Sequence, residues 1–477
     1  MKSLFLILIF SFYNWNLYSQ IIWGNEVEIG NASNNGIVRP RLALTDDNRA
    51  MVIMTRIQNG QIYFTQEEIA GNFSTPIPLL PSSMQSYIAN WTGPDMDAHG
   101  DTIVVVFKAL PFEQGHIYSI RSIDGGLSFS DTIRVDNHLT YRAWMPSMAM
   151  DANGNPLITY MVHDANSSNP RYVYSRSTDG GQTYTNEQEI AAIVSGEACD
   201  CCPAEMVSSG NKQVLLFRNN ESNIRDIYGV YSNDNGATFG SGDNIDETNW
   251  LINACPASGP HGTFIDSNLY SVYMSSASGT NTVYVSKSIA NSTLAFQLRQ
   301  ELSTSTNAQN YPRISSENDL MVAAWSESVS NNDEIYTAIS LNENLGQFSL
   351  TNQQANNNSA GIQTNPDIRA KNGVIHLVYQ DLGSQKVIYK KGQIGIIGLD
   401  ESTSIADIIY PNPISVGQEI ILPEDQINSI FSLVDMSGKE VHVFNNSEGK
   451  LCIPAIEKGV YLLHSEKSVK TYRLIIQ

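Results

Sequence analysis

Residues 146–184, PSMAMDANGNPLITYMVHDANSSNPRYVYSRSTDGGQTY, contain each element of a repeat that runs through most of the chain. Its proline recurs every 52 to 57 residues, at Pro40, Pro94, Pro146, Pro203, Pro260, Pro312 and Pro366. A β-branched residue followed by tyrosine recurs in step with it, at Ile62–Tyr63, Ile117–Tyr118, Val173–Tyr174, Ile227–Tyr228, Val283–Tyr284, Ile335–Tyr336 and Ile388–Tyr389. Copies in one register indicate an architecture that repeats one supersecondary unit.

Each unit has the pattern of short antiparallel strands. Apolar runs such as 104–107 and 157–160 follow turn sequences like DANGN at 151–155, which favours strands over helices. Seven units of about four strands, packed radially, predict an all-β fold, a seven-bladed β-propeller whose neighbouring sheets cover each other's faces. The N-terminal segment 22–29 resembles the outer strand at 183–190, and we expect it to complete the last sheet and close the ring.

Three units carry the pattern Ser-x-Asp-x-Gly-x-Ser/Thr-aromatic: SIDGGLSF at 122–129, STDGGQTY at 177–184 and SNDNGATF at 232–239. We expect the aspartates, Asp124, Asp179 and Asp234, to cap turns in which glycine takes a positive φ and the aromatic ring packs between sheets. These turns join the two outer strands of a sheet. A ligand site is expected on the opposite face, where the loops lead into the first strands.

This pattern resembles the Asp boxes, or BNR repeats, of sialidases and related propellers, over residues 20–397. Catalytic sialidase propellers have six blades, so the resemblance keeps a six-bladed ring as the alternative to seven. It implies an exo-sialidase-like glycoside hydrolase, with arginines that grip a substrate carboxylate and a carboxyl group that transfers a proton. A tyrosine nucleophile activated by glutamate completes that chemistry.

On this resemblance the substrate-binding arginines are Arg41, Arg218, Arg313 and Arg225. The implied catalytic residues are Asp95 as acid/base and Tyr311 with Glu205 as the nucleophilic pair. The function predicted is action on, or binding of, an extracellular glycan or glycoprotein, with sialidase-like hydrolysis as the specific enzymatic hypothesis. The alternative is a non-catalytic binding or adhesion propeller whose open face is stabilised by disulfides or a metal.

Four of the five cysteines lie close in sequence, at Cys199, Cys201, Cys202 and Cys255. In an exported protein the first interpretation is a disulfide between Cys255 and one member of the trio. The alternative is a soft metal ion, zinc or copper, as the cofactor held by these cysteines and His261.

Both ends of the chain have sequence patterns typical of export signals. Residues 1–19 have the charged start and short apolar run of a signal peptide, and that run is too short to span a bilayer. After a linker at 398–403, the motifs YPNP (410–413), DMSGK (435–439), GVY (459–461) and KTYRL (470–474) resemble the C-terminal sorting domain of type IX secretion substrates. The resemblance covers 404–477, where alternating apolar residues predict a small β-sandwich.

The net charge of −20 is spread along the chain, which excludes nucleic acid as the expected partner. The predicted partners are the type IX secretion machinery and an extracellular glycan. We expect a protein without a transmembrane segment, secreted or held at the outer cell surface.

Overall fold

The computed structural model describes residues 19–31, 37–69, 71–137, 142–164, 166, 168–396, 412–422, 430–435, 439–445, 450–465 and 471–476. Apart from Ser19, the predicted signal peptide lies outside the described residues, as does the predicted linker at 398–403. The chain forms two compact units, a larger one at Gln20–Gly395 and a second that contains Ile396–Gln477.

The described residues are nearly all β, which confirms the predicted fold class. The larger unit has seven sheets of four or five strands. Sheet 1 contains Ile37–Leu44, Ala50–Arg56, Gln61–Ile69, Asn72–Phe73 and Ile77–Pro78. Sheet 2 contains Asp95–His99, Thr102–Lys108, Ile117–Ser122 and Ile133–Arg134. Sheet 3 contains Ala143–Met150, Pro156–Val162, Arg171–Arg176 and Gln188–Glu189.

The remaining sheets of the larger unit follow in chain order. Sheet 4 contains Glu197–Ala198, Glu205–Ser209, Lys212–Asn220, Ile227–Ser232 and Ser241–Asn244. Sheet 5 contains His261–Ile265, Asn268–Ser275, Thr282–Ala290 and Leu294–Glu301. Sheet 6 contains Gln309–Glu317, Leu320–Val329, Asn332–Leu341 and Gln353–Gln354. Sheet 7 contains Gln363–Lys371, Val374–Asp381, Lys386–Ile396, Ser19–Trp23 and Val27–Asn31.

Three helical segments are found among the described residues, at Ala191–Ile193, Leu345–Gln347 and Phe348–Thr351. None of the helices in this part of the chain is long and apolar enough to cross a membrane.

The proline-marked strands form the inner wall of the larger unit. Each contacts the corresponding strand of the sheets before and after it, and the strand of sheet 7 contacts that of sheet 1, so the strands close a ring around a central channel. Both faces of a sheet are therefore buried. In Thr102–Lys108, Ile103 and Val105 pack towards sheet 1, whereas Val104 and Val106 pack towards sheet 3. This burial on both faces explains why residues 103–107 form a continuous apolar run instead of alternating with polar residues.

The N-terminal strands complete sheet 7. Ser19–Trp23 and Val27–Asn31 both pair with Lys386–Ile396, the third strand of that sheet. The two ends of the propeller sequence are thereby joined by hydrogen bonds, as the resemblance of segment 22–29 to an outer strand predicted.

The three Ser-x-Asp turns have matching hydrogen bonds. In the second, Asp179 accepts bonds from the Ser177 hydroxyl, the Gln182 and Thr183 N–H groups and the Thr183 hydroxyl at 2.6–2.9 Å. Gly181 has φ 84°. The half-buried Tyr184 reaches back to sheet 2, where its hydroxyl donates to Ser119 at 2.9 Å. These contacts give the turns a structural role between neighbouring sheets.

The second unit has two small sheets. One pairs Glu419–Ile421 with Lys450–Cys452, and the other contains Ile430–Asp435, Glu440–Asn445, Gly459–Ser465 and Thr471–Ile476. The sheets share one apolar core, in which Ile420 and Leu451 lie with Leu433, Leu463 and Leu474.

Candidate functional site at the channel entrance

The first strands of four sheets begin with a bulge at the repeated proline. The residue before the proline has a positive φ, at Arg39 (51°), Met145 (51°), Tyr311 (53°) and Asn365 (52°), and the strand pairing shifts register across the proline. Proline lacks the N–H that a strand ladder needs, and a bulge removes it from the ladder and redirects nearby side chains. Non-glycine residues rarely adopt this conformation, so the packing around the channel must hold Arg39 and Tyr311 in it.

The bulged strands surround a small cavity of about 40 Å³ at the channel entrance. Its polar lining comes from six of the seven sheets: Arg39, Arg41, Asp95, Ser147, Glu205, Tyr311, Arg313 and Asn365. Trp91 adds an aromatic wall. The structure therefore brings together five residues singled out from the sequence: Arg41, Asp95, Glu205, Tyr311 and Arg313.

Ser147 lies between the two carboxyl groups of this cavity. Its Oγ donates to Asp95 Oδ2 at 3.1 Å, accepts the Met206 N–H at 3.2 Å and lies 3.3 Å from Glu205 Oε2. A hydroxyl has only one hydrogen. The Ser147 hydrogen is directed to Asp95, which also faces Arg41 Nε at 3.7 Å. The contact between Ser147 Oγ and Glu205 Oε2 is then a hydrogen bond only when Glu205 is protonated and donates to Ser147.

The other neighbours of Glu205 fit a protonated carboxyl. His261 Nδ1 accepts the Ile314 N–H at 3.2 Å, which places the ring hydrogen on Nε2, 3.3 Å from Glu205 Oε1. Burial, helped by nearby arginines, holds the pKa of His261 well below its usual range and keeps the ring neutral. Burial raises the pKa of Glu205 to about 8, although Arg313 Nη1, 3.4 Å away, opposes the shift.

The arginines of the cavity are buried close to one another. Burial, together with Arg313, lowers the pKa of Arg41 to about 10. Burial, together with Arg41 and Arg313, holds the pKa of Arg39 well below its usual range. Arg39 is only 7% exposed, and its Nε and Nη1 have no hydrogen-bond partner in the described part of the chain. An anion in the cavity would supply the missing acceptors and restore the charged form.

The channel continues below this cavity into a space of about 240 Å³, which is lined by His261 and shares Asp95 and Glu205 with the cavity. Arg369 faces this space and donates to the buried Asp367 at 3.0 Å. Burial opposes ionisation of Asp367, but Arg369, Arg313 and Arg41 outweigh it and lower its pKa. Arg369 in the lower channel is thus paired within the protein, whereas Nε and Nη1 of Arg39 above it have no acceptor among the described residues.

Two of the predicted substrate-binding arginines are not brought to the cavity. Arg218 is fully buried and donates to the carbonyl oxygens of Ser258, Arg225 and Met274 at 2.6–3.3 Å, with its guanidinium 5.1 Å from the Trp250 ring. Arg225 Nη1 lies 3.1 Å from Cys199 Sγ. Both side chains are engaged by the protein itself.

The cysteines lie where the chain leads into sheets 4 and 5. Cys201 and Cys255 form a disulfide, which confirms the predicted bond between Cys255 and one member of the trio. Cys199 and Cys202 are buried thiols. The Cys201–Cys255 disulfide removes two of the five predicted metal ligands. The side chain of His261 is engaged in the channel by Glu205 and by the Ile314 N–H group.

Three of the eight polar lining residues were absent from the sequence-based set: Arg39, Ser147 and Asn365. Arg39 precedes Pro40 just as Tyr311 precedes Pro312, so its position in the repeat was the available signal. Ser147 follows Pro146 just as Arg41 follows Pro40, but its role depends on the carboxyl groups of two neighbouring sheets, which the sequence does not place beside it.

Comparison with known families identifies the C-terminal unit. Residues 408–477 match the secretion system C-terminal sorting domain. The protein is therefore exported through type IX secretion, to the cell surface or the extracellular space. No curated protein matches the chain.

Several solved structures are similar over most of the chain. They include a protein of unknown function from Dyadobacter fermentans (10% identity, TM-score 0.45, covering 79% of this chain and 99% of that one). An α-L-arabinanase from Penicillium chrysogenum shares 11% identity at a TM-score of 0.46, covering 78% and 98%. The intramolecular trans-sialidase from Ruminococcus gnavus shares 11% at 0.43, covering 77% and 97%. Similarity at this level assigns neither activity nor substrate.

Proposed function

We propose that the protein binds acidic glycans outside the cell, with the sugar carboxylate held at the channel entrance. The observation that carries the proposal is Arg39, whose buried Nε and Nη1 lack acceptors among the described residues beside Arg41 and Arg313. Buried polar groups are nearly always hydrogen-bonded, and an unpartnered buried charge is costly. A carboxylate offers two oxygens in a plane that matches the guanidinium group.

The size of the cavity restricts how such a ligand is placed. A volume of about 40 Å³ has room for a carboxylate, since one water-sized group needs roughly 10–15 Å³ by the same kind of measure. It does not have room for a sugar ring. The ring would therefore lie at the mouth of the cavity, next to Trp91 and Tyr311, with its carboxylate directed inwards.

The protonation of Glu205 makes the cavity suitable for an anion. With a pKa of about 8, this carboxyl is mostly protonated at neutral pH and does not repel a carboxylate. Above pH 8 it ionises and adds a negative charge beside Arg313. Affinity for an acidic glycan should therefore fall as the pH rises through 8.

Calorimetric titration with sialyllactose and with its carboxyl methyl ester tests this proposal. The wild type should bind the acid and lose at least about tenfold in affinity for the ester, because hydrogen bonds to charged groups contribute about 1.5–3 kcal/mol. Arg39→Met should weaken binding of the acid to a similar extent, whereas Arg49→Met, at an exposed pair with Asp47, should not. Equal affinity for acid and ester would refute the proposal.

Glycoside hydrolysis at the same cavity is the second candidate function. It is favoured by Asp95, Glu205 and Tyr311 lying beside the arginines, and by Glu205 holding a proton at neutral pH, as a general acid must. As a general acid, Glu205 would not have the sequence-based role of activating the Tyr311 phenol, because a carboxyl that holds its proton is not a base. Its oxygens also face Ser147, His261 and Arg313, so that role would need both loss of the proton and a rearrangement on binding.

Release of the fluorophore from a fluorogenic sialoside tests this second function. Tyr311→Phe should abolish release and retain sialyllactose binding if the phenol is the nucleophile, and Glu205→Gln should slow release by removing the acid. If the wild type binds sialyllactose but releases no fluorophore, the protein is a non-catalytic glycan-binding propeller.

A further inference from the structure

The cysteines at the start of sheet 4 form a cluster of sulfur atoms. Cys201 is joined to Cys255. Cys199 Sγ lies 3.7 Å from Cys201 Sγ and 2.6 Å from Cys202 Sγ. The pair Cys199 and Cys202 has the spacing C-x-x-C, and both side chains are fully buried.

The separation of Cys199 and Cys202 fits a covalent bond better than a metal site. Two thiolates that share one tetrahedral zinc at about 2.3 Å each stand about 3.8 Å apart, well beyond the 2.6 Å found here. Arg225 Nη1 lies 3.1 Å from Cys199 Sγ, and a guanidinium cation at this position would repel a metal cation. Cys201, the third sulfur of the cluster, is no longer a thiolate because it is bonded to Cys255.

We propose that Cys199 and Cys202 form a second disulfide in the exported protein. Two S–H bonds break and one S–S bond forms. The two electrons and two protons pass to an external disulfide, such as that of a thiol–disulfide oxidoreductase or oxidised glutathione, which leaves as a dithiol or as two thiols. Because both sulfurs are fully buried in the folded propeller, the exchange takes place during folding, and the pair does not act on external substrates afterwards.

The second disulfide would fix the segment that carries Glu205. Tyr172 donates to the Cys202 carbonyl at 2.6 Å. Pro203 packs so closely on Gly259 that a Cβ there would lie 2.1 Å from the Pro203 carbonyl oxygen. A covalent link at Cys202 adds a further restraint three residues before Glu205.

Counting alkylated thiols in the full chain tests the proposal. The chain has five cysteines, and Cys452 is an exposed free thiol in the second unit. Protein refolded with oxidised and reduced glutathione is denatured without reductant, treated with iodoacetamide and weighed by mass spectrometry. One carbamidomethyl group, on Cys452, is expected. Three groups, on Cys199, Cys202 and Cys452, would overturn the proposal, as would three groups with one bound zinc or copper per native chain.

Peptide mapping and two variants assign the bond. Cleavage before Asp200 separates Cys199 from the peptide that carries both Cys201 and Cys202. With the Cys201–Cys255 bond in place, the proposed bond must therefore hold three peptides together until reduction. Cys202→Ser should expose Cys199 to alkylation, whereas the matched variant Cys201→Ser should expose Cys255. A Cys202→Ser chain in which Cys199 stays protected would overturn the assignment. If that variant does not fold, the wild-type peptide map still decides whether Cys199 is disulfide-bonded, and a Cys199 peptide that runs free without reduction would overturn the proposal.

Discussion

The raised pKa of Glu205 predicts how the stability of the propeller depends on pH. Its pKa rises from 4.5 in the unfolded chain to about 8 in the folded protein, so this carboxyl stabilises the fold fully below pH 4.5. That contribution declines between the two values and is lost above pH 8, because the folded state keeps a proton that the unfolded chain releases. Each unit of pKa difference corresponds to about 1.4 kcal/mol.

Glu205→Gln mimics the protonated carboxyl at every pH and should remove this dependence. Between pH 5 and 8 the wild type should lose up to about 4 kcal/mol in free energy of unfolding relative to the variant, from three pH units at about 1.4 kcal/mol each. Denaturant unfolding of both proteins at pH 5, 6, 7 and 8 measures the difference, in which all other titrating groups cancel.

Glu113→Gln is the matched control, because Glu113 is an exposed glutamate paired with Arg142. The free energy of unfolding of this variant should change with pH in parallel with that of the wild type. The reasoning is refuted if the wild type and Glu205→Gln also run in parallel. It is equally refuted if the wild type gains stability over the variant as the pH rises, since Arg313 would then outweigh burial and lower the pKa of Glu205.

Three further substitutions separate binding from stability. Arg39→Met should raise the free energy of unfolding by about 1–2 kcal/mol, because it removes a buried guanidinium whose Nε and Nη1 lack acceptors among the described residues. The same substitution should weaken binding of acidic glycans by at least about tenfold. Thermal melting and calorimetry measure the two effects, and Arg49→Met should change neither. Asp179→Ala removes four hydrogen bonds of its turn and should cost about 1–2 kcal/mol without affecting glycan affinity, whereas Ala at the exposed Asp131 should be neutral. Arg218→Met leaves three carbonyl oxygens without their donor and should cost about 3–5 kcal/mol in denaturant unfolding. If it weakened glycan binding without loss of stability, the sequence-based assignment of Arg218 would be correct.

The repeat by itself determined the class of fold and much of its closure. A proline that starts a strand and a continuous apolar run are local properties of the sequence, and their regular recurrence favours sheets that stack against one another. The outer-strand pattern of segment 22–29 indicated that the N-terminus completes the last sheet. The Ser-x-Asp turns are equally local, because each aspartate bonds within four residues of itself.

Only the tertiary structure decided which charged residues form the candidate site. Arg41 and Arg218 both lie on strands of the repeat, and their sequence environments do not show that one faces the channel while the other lies between sheets 4 and 5. The bulge at Pro40 shifts the strand register and directs Arg39 into the cavity. The alternation of side chains along a regular strand does not predict this shift. The protonation of Glu205 likewise depends on burial by neighbouring sheets, and the choice of Cys201 as partner of Cys255 depends on distances across two of them. Sequence periodicity specifies a strand and its faces, but long-range packing determines what each face meets.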